Sequence, residues 1–443
     1  MGKRLRWRQG LIVLGMFLGL AACGLWSQSI PVTLPSATTA PLATATMPSV
    51  LLPTMAPPES TPTVRACAPV APQPFQEAQQ TFAALLQGAG VAALNAGLSP
   101  NDLNARLQEA GVGGYPRAVY TGEINGDGWP DALLVLVNPD ASTSPPVGVL
   151  LVALGGPDGY CVAQTLVADD ADFAGLVVHA VDDLDADGRL EAVIGWTRCG
   201  EVTCTERLQV LAWRAGRLTN LLAGSPEFAD PWVDLQTQGG QEGYHVAVHA
   251  EGIPGGTGPA RAYTRIYAYD PVRDAWRLME TQWAPPQTRI HLLHDADRAA
   301  RHGDLMQALL LYGQVIASQE VRDKALPGAG EPARLHAVLA AYARFRMLVL
   351  HARAGREAIA QATYTELRQA VDDDPALVPY FEMATAFWQV YRQSGWDAAC
   401  EAARRYAQEH AEAVLEPLGP EVYGTNNRAY TPEDVCLSGE TSP

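Results

Sequence analysis

Apolar positions fall into distinct regimes along this chain. Between about 74 and 111 they recur at helical spacing, with Phe75, Phe82, Leu85, Leu86, Leu94, Leu98, Leu103 and Leu107 marking one or two apolar faces. Ser99 followed by Pro100 predicts a helix start, the serine as N-cap and the proline in the first turn. From about 116 to 285 the pattern changes to short runs of Val, Leu, Ile, Tyr and Trp broken by Gly, Asp and Pro, which predicts strands and tight turns. From about His291 to the C-terminus helical spacing returns. By contrast, Gly24 to about Val64 has no sustained period and is rich in Pro, Thr, Ser and Ala. Such a segment buries too little apolar surface to offset its ordering entropy, so it is expected to be a tether, reaching on the order of 100 Å at up to roughly 3 Å per residue.

The strand region carries an internal period. Glu123-Ile-Asn125-Gly-Asp127-Gly128-Trp129-Pro-Asp131, Asp183-Leu-Asp185-Ala-Asp187-Gly188-Arg189-Leu-Glu191 and Asp234-Leu-Gln236-Thr-Gln238-Gly239-Gly-Gln-Glu242 start 60 and 51 residues apart. Each copy precedes an apolar run (Ala132–Val137, Ala192–Trp196, Tyr244–Val248), then a strand and tight turn, then a last strand. Four strands per unit predicts about three propeller-type antiparallel blades. Three is fewer than the four of the smallest ordinary closed propeller, so an open or partial array sealed by the flanking helices is expected.

Oxygen ligands at alternate positions of a tight loop, with glycine at the sixth, suit a calcium ion. The loops resemble the calcium loops of FG-GAP and VCBS repeats, blades of integrin-type and bacterial surface β-propellers. That resemblance implies ligands at positions one, three, five and nine, with a backbone carbonyl at seven. In the second loop these are Asp183, Asp185, Asp187, Glu191 and the carbonyl of Arg189; in the first they are Glu123, Asn125, Asp127, Asp131 and the carbonyl of Trp129. The third has lost its charges at Gln236 and Gln238, and Asp234 and Glu242 are expected to keep only a turn. The implied ion is structural rather than catalytic.

In the C-terminal region Gly303, Ala308 and Tyr312 recur as Gly355, Ala360 and Tyr364, and Gly395 with Cys400 is a weaker third copy. The spacing resembles tetratricopeptide repeats, in which glycine lets antiparallel helices approach, the small residue sits in their contact and the aromatic fills the next groove. The usual first-helix tryptophan and leucine and the regular 34-residue period of those repeats are missing, so a degenerate helical-repeat domain of roughly five to seven helices is expected.

The N-terminus reads as an export signal. Lys3, Arg4, Arg6 and Arg8 precede an apolar run from Leu11 to Leu20 that is too short for a permanent membrane span, and Leu20-Ala21-Ala22-Cys23 follows. This closely resembles the lipobox of bacterial lipoproteins, which implies removal of residues 1–22, diacylation of Cys23 and anchoring to the outer face of a membrane. Loss of the four cationic residues would take the formal charge from −17 to −21. A surface of that sign, without a basic stripe, argues against nucleic acid as a partner.

Six further cysteines suit an oxidising compartment, although they allow fifteen pairings. Proximity favours Cys199 with Cys204 across a short hairpin and Cys400 with Cys436, leaving Cys67 for Cys161. No CxxC pair supports zinc.

Other chemical candidates are weaker. His291-x2-His294 with Asp295 and Asp297 is read as a helix start bearing exposed polar residues, the alternative being a metal cluster; His245 and His249 are read as a half-buried or solvent-facing pair on one strand face. No nucleophile elbow, P-loop or dinucleotide fingerprint occurs, so no enzymatic activity is expected. The resulting organisation is a signal over 1–22, a lipidated cysteine and tether over 23–66, a helical cap over 67–115, a β-repeat domain over 116–288 and a helical-repeat domain over 289–443. The expected function is a membrane-anchored surface adaptor that binds an envelope or extracellular protein or a glycan. The alternative is a hydrolase of cell-wall or extracellular polysaccharide using loop carboxylates.

Overall fold

The computed structural model describes residues 67–77, 80–141, 145–201, 203–237 and 243–436. The signal segment, Cys23, the tether, Gln238 and Glu242 lie outside the described residues. Among the described residues three antiparallel sheets and twelve α-helices make up a mixed α and β fold.

The N-terminal cap is three short helices, α1 (Phe82–Leu86), α2 (Ala89–Asn95) and α3 (Pro100–Glu109). Ser99 caps α3 as its sequence predicts, its hydroxyl accepting from Asp102 N–H with Pro100 in the first turn. Phe75 is buried but lies before the first helix, so helical structure begins later than the apolar spacing suggests.

Each sheet is a meander of four successive strands. The first is β1 (Val119–Gly122), β2 (Asp131–Val137), β3 (Gly148–Leu154) and β4 (Cys161–Leu166). The second is β5 (Gly175–Asp182), β6 (Glu191–Cys199), β7 (Cys204–Arg214) and β8 (Arg217–Asn220), with β9 (Glu227–Ala229) added beside β7. The third is β10 (Trp232–Thr237), β11 (Tyr244–Glu251), β12 (Ala262–Asp270) and β13 (Ala275–Trp283).

Side-chain alternation sets how the sheets stack. On β2, Ala132, Leu134 and Leu136 pack with Leu85, Val91, Leu103 and Leu107 of the helical cap. The intervening Leu133 and Val135 pack with Ile194, Trp196, Leu211 and Trp213 of the second sheet. The second sheet's other face, through Val193, Leu208 and Val210, meets Val246, Val248, Tyr267 and Trp276 of the third. Strands buried on both faces need apolar residues at every position, which accounts for the unbroken Ala132–Val137 run.

The third sequence copy is displaced relative to the other two. The connection after β1 runs between paired Gly122 and Asp131, and that after β5 between paired Asp182 and Glu191. In the third sheet the strand continues to Thr237, paired with Tyr244. Asp234 and Gln236 are therefore strand residues opposite Ala247 and His245, not turn residues, and this connection is two residues shorter. The decayed Asp/Gln spacing aligned on strand residues by coincidence.

The C-terminal part contains three helical hairpins: α4 (Arg289–Arg301) with α5 (Leu305–Ala317), α6 (Pro332–Arg353) with α7 (Glu357–Asp373), and α8 (Val378–Ser394) with α9 (Trp396–Glu409). Short helices α10 (Ala411–Val414), α11 (Pro420–Tyr423) and α12 (Pro432–Val435) follow. From Leu335 to Ala352 helix α6 has no exposed position, because α4, α5, α7 and α8 pack around it.

Gly303, Gly355 and Gly395 occupy the three hairpin turns with φ of +78°, +67° and +84°. A β-carbon added at any of them would meet nothing within 4 Å. The glycines thus serve a left-handed turn and not close helix approach, which corrects the role expected of Gly303 and Gly355. Ala308, Ala360 and Cys400, each five residues later, are buried in the hairpin contacts. Tyr312 is fully buried, whereas Tyr364 is half-buried and stacks near Trp388.

All six cysteines among the described residues are paired, as Cys67–Cys161, Cys199–Cys204 and Cys400–Cys436. No described helix is long and apolar enough to cross a membrane.

Candidate functional site

The first two acidic loops share one backbone design. At position one, Glu123 accepts from Asp127 and Gly128 N–H, and Asp183 accepts from Asp187 and Gly188 N–H. At position three, Asn125 and Asp185 accept from the N–H of position five. At position five, Asp127 and Asp187 accept from the N–H of Trp129 and Arg189. Position six is Gly128 or Gly188, with φ of +84° or +86°. Position four is also left-handed, at Gly126 and at Ala186 with φ of +62°.

Position nine opens the next strand and is buried in both loops: Asp131 is 0% and Glu191 1% exposed. Their environments diverge. Asp131 accepts three N–H groups, from Ile124 and Asn125 on Oδ2 and from Gly155 on Oδ1. Glu123 likewise receives four backbone N–H groups. The first loop has therefore answered its own charges with backbone dipoles, although burial still pushes the Asp131 carboxyl up to about 6.

In the second loop Glu191 accepts from Leu184 N–H on Oε2, while Oε1 is buried without a hydrogen-bond partner. Burial first, and then the neighbouring Asp185 charge, push its carboxyl up to about 8. Carboxylate oxygens of Asp183, Asp185 and Asp187 lie within 4.8 Å of one another, the one such acidic trio among the described residues. Two cations relieve part of this density. The Arg189 guanidinium pairs with Asp187 and holds its carboxyl below the usual range, and Arg214 reaches Asp185 at 3.5 Å. The mutual repulsion of these clustered carboxylates is thus partly offset by arginines, one of them contributed by β7.

This donor set fits a hard divalent cation: three clustered carboxylates and a buried orphan oxygen at position nine. Calcium would be held by Asp183, Asp185, Asp187 and Glu191 and would supply fixed positive charge, with no redox or nucleophilic chemistry. Successive loops also adjoin. Leu190 N–H donates to the Glu123 carbonyl, and Tyr244 N–H donates to that of Leu184. A cation at the second loop would brace all three sheets at one edge.

The histidine and aspartate cluster has another role than the sequence suggests. His291 and Asp297 are buried, at 3% and 0% exposure, which corrects the expectation of exposed polar residues. Asp297 accepts from Tyr312 and Tyr430 hydroxyls and from Arg428, and Arg346 is fully buried nearby. This network welds α4, α5 and α6 to the C-terminal segment. Local spacing does not mark it, because Tyr312 and Arg346 lie on other helices and Arg428 and Tyr430 lie more than 130 residues from Asp297. His245 and His249 are half-buried on β11, as expected, with Ala247 between them and Trp232 stacked on His249 at 3.6 Å.

Compared with protein-family models and with the curated proteins, the chain matches none.

Proposed function

We propose that the chain is an exported lipoprotein, anchored through a lipid on Cys23, that works as a surface binding or assembly adaptor. The observation that carries export is the pairing of all six remaining cysteines, which a reducing compartment would oppose. The three consecutive four-stranded meanders are read as FG-GAP/VCBS-like, propeller-type blades in an open array, with the helical cap over the first. The helical hairpins, with their repeated left-handed glycine and buried small residue, are read as a degenerate tetratricopeptide-like array offering a binding face for a protein or glycan.

Calcium at Asp183–Glu191 is assigned a structural role, supported by the unpartnered Glu191 oxygen. The hydrolase alternative is disfavoured by Asp131, whose oxygens are already engaged by backbone N–H groups. Metabolic labelling with a fatty acid tests the anchor: wild type takes the label and stays with membranes, and Cys23→Ser does neither. Equal labelling of both refutes anchoring, and capture of partners from the envelope by the anchored protein tests the adaptor role.

A further inference from the structure

Where the third sheet meets the helical hairpins there is a cavity of about 250 Å³. In a chain whose net charge is −17, five arginines line it: Arg261, Arg265, Arg298, Arg301 and Arg428. Arg265 comes from β12 and Arg261 from the residue before it, Arg298 and Arg301 from α4, and Arg428 from the segment between α11 and α12, so only the folded junction gathers them.

Carboxylates compensate these cations in part. Asp295 is shared by Arg261 and Arg298, and Asp434 by Arg301 and Arg428. Asp297 serves both Arg428 and the buried Arg346. Six guanidinium groups therefore face three carboxylates, an excess of three positive charges. The two histidines lining the cavity do not add to it; burial pushes His291 down to about 4 and His294 well below its usual range, so both are neutral near pH 7.

Arg265 has no carboxylate within 4 Å among the described residues and lies near the Phe228 and Tyr263 rings. Three nitrogens of cavity-lining residues are buried without a hydrogen-bond partner: Arg265 Nε, Arg428 Nε and His294 Nε2. An arginine Nε–H can only donate, and leaving a charged donor unmet costs free energy. An oxyanion supplies acceptors suited to the two arginine Nε–H donors, and the missing negative charge. Trp283, flanked by Arg261 and Arg298, adds an apolar wall.

We propose that this junction is a binding site for a small organic oxyanion, a carboxylate or phosphate attached to a sugar-sized body. The site is independent of the acidic loops and of the lipid anchor, so it stands or falls separately from the proposed function. The test is calorimetric titration and thermal melting of the purified full chain in detergent with inorganic phosphate, glucose 6-phosphate, glucuronate and neutral glucose. Saturable binding of at least one anion is expected, weakening with salt, with no response to glucose. Arg265→Met, which strands no carboxylate, should weaken binding at least tenfold. Should Arg265→Met fail to fold, Arg298→Gln at the more exposed rim should weaken it severalfold. Phosphate-selective or carboxylate-selective binding identifies the headgroup. Absence of saturable binding up to 10 mM of each anion, on the order of a weak small-molecule Kd, overturns the site. An equal response to glucose, or unchanged affinity in a folded arginine variant, does so too.

Discussion

Glu191 shows how one side chain couples burial and charge, and through them the proposed calcium site. With its carboxyl raised to about 8, the folded chain holds a proton that the unfolded chain releases near the ordinary glutamate value. Through this group stability falls as pH rises from about 4.5 to about 8 and is level beyond. Glu191→Gln removes the titration while keeping an acceptor for Leu184 N–H. The variant is expected to be more stable than the calcium-free wild type at pH 8, by about 1 kcal/mol or more, and to lose its calcium response; urea denaturation with and without chelator checks both. Calcium takes the ionised carboxylate, so its affinity should rise with pH up to about 8. Gly188 makes a purely conformational prediction. A β-carbon there has open space, yet φ is +86°, so Gly188→Ala should cost about 1 kcal/mol in the absence of calcium. The ligand types of this loop were legible in the sequence because their spacing is local. That Glu191 is buried with one oxygen unmet was not, since the burial comes from packing of neighbouring strands.

Elements divide by how local their causes are. The cap of α3 and the apolar strands β2, β3, β7 and β12 follow from residues within a few positions. The hairpin glycines were found by their spacing but misread in mechanism, because spacing reports recurrence and not backbone angle. Gly355→Ala should cost about 1 kcal/mol through its left-handed turn and leave the α6–α7 contact intact. Ala360→Leu, inserting bulk at a fully buried position of that contact, should cost about 1–3 kcal/mol and broaden unfolding; denaturation curves followed by circular dichroism separate the two. The third loop illustrates the opposite failure. Its Asp234 spacing matched a motif, but strand pairing extends four residues further and takes both Asp234 and Gln236 into β10.

At the scale of the molecule, linkage between distant segments supplies stability that no element has alone. Cys67–Cys161 spans 94 residues and ties the chain before the helical cap to the last strand of the first sheet. In the chain-entropy view a loop of that length is worth about 4–5 kcal/mol, so Cys67→Ser with Cys161→Ser should lower the melting temperature far more than the paired change at Cys199 and Cys204, which closes only a short hairpin. Calorimetric scanning of the two double variants checks the order. The proposed calcium would act at the same scale, because the loops of successive sheets are hydrogen-bonded to one another. Saturation at 100 times Kd should add about 2.7 kcal/mol per site. Asp187→Ala should abolish that gain, and Gln238→Ala should leave it unchanged, as measured by melting with and without chelator.

The sequence by itself determined the succession of helical cap, three meanders and helical hairpins, because periodicity is a property of short stretches; it favoured the cysteine pairs found, but Cys67–Cys161, 94 residues apart, only by elimination. Only the tertiary structure decided which charges are buried. Asp297, Arg346, Arg428 and Asp434 read as ordinary polar residues of helices and a tail, yet they form the network joining α4–α6 to the C-terminal segment. The arginine-lined cavity beside them draws on residues 252 to 428. No local pattern marks such a site, since the electrostatic field of a folded junction is a sum over residues that the chain brings together only after its cores have formed.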